Sequence, residues 1–424
     1  MKPFVIETNG QLGDFLQQEW LLTNGTGAFA ASTILGCNTR RYHSLLCAAT
    51  LPPVGRIATV NRIGEILHLE GRPEMLETSL NQFPQRLHPR GDRFLRRFEL
   101  DDSARFEFDV AGVVVRKEVL LLAGRNVTAV RYQIQPGGRR VRLELLPFVA
   151  LRDFHSLRRG KSLLEVERDP AGCCVRDGGN RVHLKCDQGR FVPEEQWWFD
   201  HVLPVETERG LDDREDLYVP GRWVMDLAHP ATVLVAISTD PIDAIDFEHE
   251  LARRRQRSTV LAGASETVQQ LLRAADDFVV ERRRPDGSPG VTVIAGYPWF
   301  ADWGRDTMIS LPGLLLCPRR FREAAAVLEV FAEYVSEGMI PNRFNDYTNE
   351  PEYNTVDASL WFIHACFEYL RSSGDEATFY RSLLPACRSV IEGYRRGTRF
   401  GIAMDASDGL ITQGDASTQL TWMD

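Results

Sequence analysis

At 424 residues the chain exceeds the length that one hydrophobic core serves, and two domains are expected. Hydrophobic residues at 43% and charged residues at 26% place it with soluble globular proteins and away from disordered or fibrous ones. A formal net charge of -9 argues against nucleic acid and anionic membrane as partners, because both need a basic surface that displaces counterions.

The opening MKPFVIETNGQLGDF has no apolar stretch behind a basic tip, and no apolar run approaches a membrane span. A cytoplasmic location is therefore expected. Cysteines at 37, 47, 173, 174, 186, 317, 366 and 387 show no CxxC pairs and no histidines at metal-ligand spacing. They read as reduced and structural, with no metal and no cofactor.

From about residue 20 to 240 strand signals dominate. Phe106, Phe108 and Val110 alternate, as do Val141, Leu143 and Leu145, and ATVLVAIS (231–238) is a buried-strand run. Turn clusters such as QPGGRR (135–140), DPAG (169–172) and RDGGN (176–180) recur at the intervals of an antiparallel sandwich. NGTGAF (24–29) lacks the Lys-Ser/Thr of a phosphate loop and reads as a turn. His43 and His155 stand apart from other ligands and read as structural. RRRQR (253–257) reads as a solvated helix end.

Beyond the DPIDAIDFEHELARRRQRS stretch the period becomes helical, with Val268, Leu271, Leu272, Ala275, Phe278 and Val279 on one face. Residues 1–255 thus form a β-sandwich domain and 256–424 a helical one. Helices are expected at about 265–284, 303–317, 319–337, 355–373 and 376–397. The link at 371–376 is short, whereas 285–302, 338–354 and 399–420 are long, and long loops without their own periodicity tend to be functional. Alternation of this kind suggests helical hairpins in a ring with the long loops on one face.

Those loops share a composition. GYPWFADWGRDTMIS (296–310) combines Tyr297, Trp299, Phe300 and Trp303 with Asp302, Arg305 and Asp306. Aromatic faces stack on the C–H faces of sugars, and carboxylate and guanidinium groups pair with hydroxyl edges. The bland alternative is an aromatic corner holding a structural Arg–Asp pair. In the second loop, 341–362, Asp357 opens a helix, where it either meets a ligand or only caps the first turn. The third, 408–424, ends in Trp422, Met423 and Asp424.

WFADWGRDTMISLPGLL, PNRF…YNTVDASLWF and LTWMD, in that order, resemble the glucosidase domain of glycogen debranching enzymes of the amylo-α-1,6-glucosidase family, and EWLLTNGTGAFAASTILGCNTRRYHSLL (19–46) resembles the sandwich that precedes it. The resemblance implies an N-terminal antiparallel β-sandwich followed by the first part of an (α/α) six-hairpin toroid. It further implies inverting hydrolysis of α-1,6-glucosidic branch linkages in glycogen or branched α-glucan oligosaccharides, without cofactor. Carried over, Asp424 matches the general acid, and Arg305 and Asp306 match the residues that grip the terminal glucose. Trp299, Trp303, Asp357 and Trp422 would line the pocket. The general base, a glutamate expected in later helices, has no matching position, and roughly half the ring is unaccounted for. On that reading the chain is a C-terminally truncated, inactive form. Alternatives are a glucan-binding fragment without catalysis, another toroid glycosidase, or a disaccharide phosphorylase.

Overall fold

The computed structural model describes residues 3–8, 12–242, 244–257 and 263–422. It divides into two compact units, one of residues 1–24, 28–49 and 56–257, the other of residues 25–27, 50–55 and 258–424.

Alternation builds the first unit. Along Ala104–Val110 the apolar residues turn inward and Arg105, Glu107 and Asp109 turn outward, as a strand with one dry face requires. A nine-stranded antiparallel sheet contains this strand, its neighbours Leu95–Leu100 and Val113–Leu121, and Ala231–Ser238, the run read from sequence. The second sheet, of ten strands, is organised on Val54–Leu69 and Val141–Asp153. One continuous apolar core joins the two faces. Trp20 of the second sheet meets Phe106 of the first edge-on, with ring centroids 6.2 Å apart. A buried carboxylate crosses the same interior: Glu65 accepts from Lys117 (2.6 Å), Thr78 (2.7 Å) and Tyr132 (2.8 Å), so one ammonium and two hydroxyls compensate its charge.

Helix α1, Phe247–Arg257, covers Leu120, Leu122, Val127 and Ala129 with Phe247 and Leu251. Its basic end is not wholly solvated, since Arg254 turns in to donate to the carbonyls of Thr23 and Leu121. His43 is buried and accepts from the backbone N–H of Thr39 at 3.0 Å, and His155 bonds the Tyr42 hydroxyl at 3.0 Å. Among the described residues no group of three or more His, Cys, Asp or Glu side chains could hold a metal, and no helix is long and apolar enough to cross a membrane.

In the second unit α2 spans Glu266–Phe278, capped by Ser265. The expected continuation of this helix to residue 284 is not observed. Val279–Arg283 leaves the helix and pairs with Pro289–Val293 across a turn at Asp286 and Gly287. Paired β-branched valines followed by a proline–aspartate–glycine turn favour a hairpin over another helical turn. The stripe on α2 is also less covered than expected, with Leu271 65% exposed.

Helices α3 (Gly304–Leu311, prolonged by a wide turn over Pro312–Leu316), α4 (Phe321–Glu333), α5 (Asp357–Ser373) and α6 (Leu384–Arg396) follow. Met308, Leu311, Leu315, Val327, Leu328, Phe331, Phe362 and Tyr369 merge into one core. Gly374 closes α5 in the left-handed conformation, at φ 69°, that glycine adopts without strain. The turn read at NGTG belongs to this unit: the Gly25 carbonyl accepts from Glu281 N–H at 2.8 Å, and Gly55 N–H donates to the Asp346 carbonyl at 2.8 Å.

Candidate active site

Two helix N-termini meet at the site. Trp303 enters α3 in extended conformation, and the N–H of Gly304 donates to the Asn342 carbonyl at 2.6 Å. A Cβ at Gly304 would lie 2.3 Å from the Pro341 carbonyl oxygen, so only glycine lets the 341–352 loop approach this closely. Residues 303 and 343 also form a β-bridge, and the Arg343 guanidinium lies 5.9 Å from the Trp303 ring centroid. The third loop arrives through backbone: Val356 N–H donates to the Leu420 carbonyl at 2.9 Å, and the Tyr394 hydroxyl holds the Val356 carbonyl at 2.7 Å. All three long loops thus converge where α3 and α5 begin.

Asp357 is not the cap of its helix. Val356 is the N-cap of α5 and makes no side-chain cap bond, whereas Asp357 Oδ2 accepts from Arg305 Nε at 2.8 Å. Arg305 and Asp357, each in the first turn of its helix, therefore face each other. Arg305 Nη2 and Asp357 Oδ1 are buried with no hydrogen-bond partner among the described residues, and so are Asn342 Oδ1 and Thr355 Oγ1. An unpaired buried polar atom costs about 1–3 kcal/mol, so the donor on Arg305 and the acceptor on its partner Asp357 suit a ligand with adjacent hydroxyls.

Asp306, the next residue on α3, is exposed, yet its carboxyl pKa is raised. Loss of surrounding solvent is the main cause, Arg305 opposes it and Asp357 adds to it. A carboxyl with a raised folded pKa contributes stability below the ordinary value of 3.8 and loses that contribution as pH rises through the raised value. Asp306→Asn is therefore expected to raise the unfolding midpoint slightly at neutral pH, with the gain disappearing in acid. A denaturation series over pH checks the sign, and a gain confined to acid would contradict it.

The remaining candidates divide. Trp303 is half-buried against Phe300, with centroids 5.5 Å apart, and Trp299 is half-buried in the tight 295–301 loop. Trp422 stands 71% exposed, two residues beyond the Leu420 carbonyl that meets Val356. Asp424 lies outside the described residues. Asp302 is the structural acid of its loop: fully buried, it holds Arg282 through Nε at 2.5 Å and Nη2 at 2.6 Å and accepts from Thr292 at 2.8 Å. Arg282 in turn donates to Asn349 at 2.7 Å and lies 3.6 Å from the Phe344 ring centroid. Sequence reading missed Arg282, hidden in the supposed helix end, and Asn342 and Thr355, whose short polar side chains give no periodic signal.

Comparison with known proteins identifies the family. The family described as "Glycogen debranching enzyme N terminal" matches residues 18–234, just over half of the chain, and "Amylo-alpha-1,6-glucosidase" matches residues 273–424. A glycogen debranching enzyme of Saccharomyces cerevisiae is 37% identical over 111 residues, covering 24% of this chain and 7% of that protein. Among solved structures, a putative kojibiose phosphorylase from the human microbiome aligns with a TM-score of 0.51 at 10% identity, over 92% of this chain and 59% of its own. A bacterial glucoamylase complexed with acarbose aligns over 93% of this chain and 58% of its own, with a TM-score of 0.49 at 10% identity. The chain thus spans less than two thirds of the length of these relatives. The architecture is a β-sandwich followed by the first part of an (α/α) toroid.

Proposed function

The chain belongs to the glycogen debranching enzyme family, and from that premise we propose that it carries the glucose-binding site of an inverting glycoside hydrolase acting on α-1,6 branch linkages of glycogen or related α-glucans. The observation that carries the reading is the Arg305–Asp357 pair, which leaves one buried N–H and one buried carboxylate oxygen open beside each other. Adjacent hydroxyls of a terminal glucose would complete both, with Asp306 as a further acceptor at the rim and the half-buried faces of Trp303 and Trp299 against the ring. Trp422 would close over the sugar from the third loop.

Chemistry then needs two carboxyl groups. Asp424 is the proposed general acid, protonating the departing glycosidic oxygen, while a carboxylate across the ring activates water, the two standing roughly 6.5–9.5 Å apart in inverting enzymes. The first must hold its proton near neutrality, which calls for a dry or acidic neighbourhood. Incubation with a branched α-glucan in phosphate-free buffer tests the reaction class. Free glucose supports hydrolysis, whereas glucose phosphate formed only on adding phosphate would establish the phosphorylase alternative.

A further inference from the structure

Outside the site, one surface of the first unit repeats its chemistry. In the strand Gln196–Val202, Trp197 and Phe199 project on the same side, with rings 18° from parallel and centroids 6.5 Å apart. Phe199 is 43% exposed, while the intervening Trp198 turns inward against Phe148 at 5.2 Å. Between Trp198 and His201 the pairing register with Arg214–Val219 shifts, and Asp200 adopts φ 60°, a left-handed conformation that a non-glycine residue keeps only when its surroundings enforce it.

The enforcing group is Asp216, only 3% exposed. It accepts from Asp200 N–H at 2.8 Å and from Gly160 N–H at 2.5 Å. One buried carboxylate thereby fixes both the bulge that follows Trp198 and the loop that brings Lys161 Nζ to 6.0 Å from the Phe199 ring centroid. Arg159 bonds the Asp200 carboxylate at 3.2 Å through both terminal nitrogens, completing a charged rim around the aromatic faces.

We propose that this platform is a second saccharide-binding site, which takes the outer chains of an α-glucan by stacking on Phe199, backed by the half-buried Trp197, while Asp200, Arg159 and Lys161 meet the hydroxyl edges. The inference rests on the family reading for its ligand class. Preorganisation distinguishes the platform from scattered surface aromatics: Phe199 is the open ring, Trp197 backs it while packing on the sandwich core and on Tyr218 at 5.3 Å, and one buried anchor serves the patch.

Affinity electrophoresis of the intact chain through gels containing glycogen tests it, with a β-1,4-glucan gel as control. Phe199→Ala is expected to weaken retention by glycogen about fivefold or more, and Phe199→Trp to preserve it. Arg305→Ala should keep the part of retention that depends on Phe199. Phe199→Ala migrating like wild type would overturn the platform, and so would equal retention by the β-glucan. Abolition of all retention by Arg305→Ala would overturn it too, leaving the proposed function intact. Loss with Phe199→Ala and none with Arg305→Ala would support the platform independently of the helix-end site.

Discussion

Asp302→Asn is expected to destabilise the second unit by about 3–5 kcal/mol, the cost of leaving a buried charge without its partner. Arg282 and Asp302 are both fully buried, and the guanidinium finds two of its bonds on that one carboxylate. An asparagine keeps the shape but returns no charge and offers one acceptor oxygen in place of two. Replacing both residues together, as Arg282→Met with Asp302→Leu, should cost less than the single change, because no ion is then stranded. Urea denaturation of the three proteins decides it. A single variant within about 1 kcal/mol of wild type would show that the pair is not what holds the loops together.

Asp424→Asn carries the second large effect. In a preparation that releases glucose, removing the proton donor is expected to lower kcat roughly 100- to 10,000-fold, the range over which general acids act, and to leave glucan binding unchanged. Parallel loss of kcat and affinity would instead mark Asp424 as a binding residue. Retained turnover would place the acid elsewhere.

Much of this was legible in the sequence because periodicity and burial coincide. The run at 231–238 is a strand to the residue, and the switch from alternation to helical stripes marks two kinds of unit. Loop composition singled out Arg305 and Asp357 as candidates, and their pairing with each other came only from the fold. What escaped depended on contacts between distant segments. Val279–Arg283 has an apolar start that continues the α2 stripe, and only its pairing with Pro289–Val293 makes it a strand. Asp302 and Asp306 lie four residues apart in the same aromatic loop, yet one is sealed around Arg282 and the other is exposed. Composition cannot separate them, since the difference is set by an arginine 20 residues away.

The platform at Trp197 and Phe199 was illegible for the same reason. A run of three aromatics reads equally well as core, and Trp197 and Trp198 do pack on apolar neighbours, while Phe199, at the register shift, is exposed.

The account turns on the open atoms of the Arg305–Asp357 pair, and calorimetric titration of isomaltose into wild type and Arg305→Ala tests them most directly. Hydrogen bonds to charged groups contribute about 1.5–3 kcal/mol, so the variant should bind at least roughly tenfold more weakly while melting as a folded protein. Equal affinity in the two proteins would contradict the site.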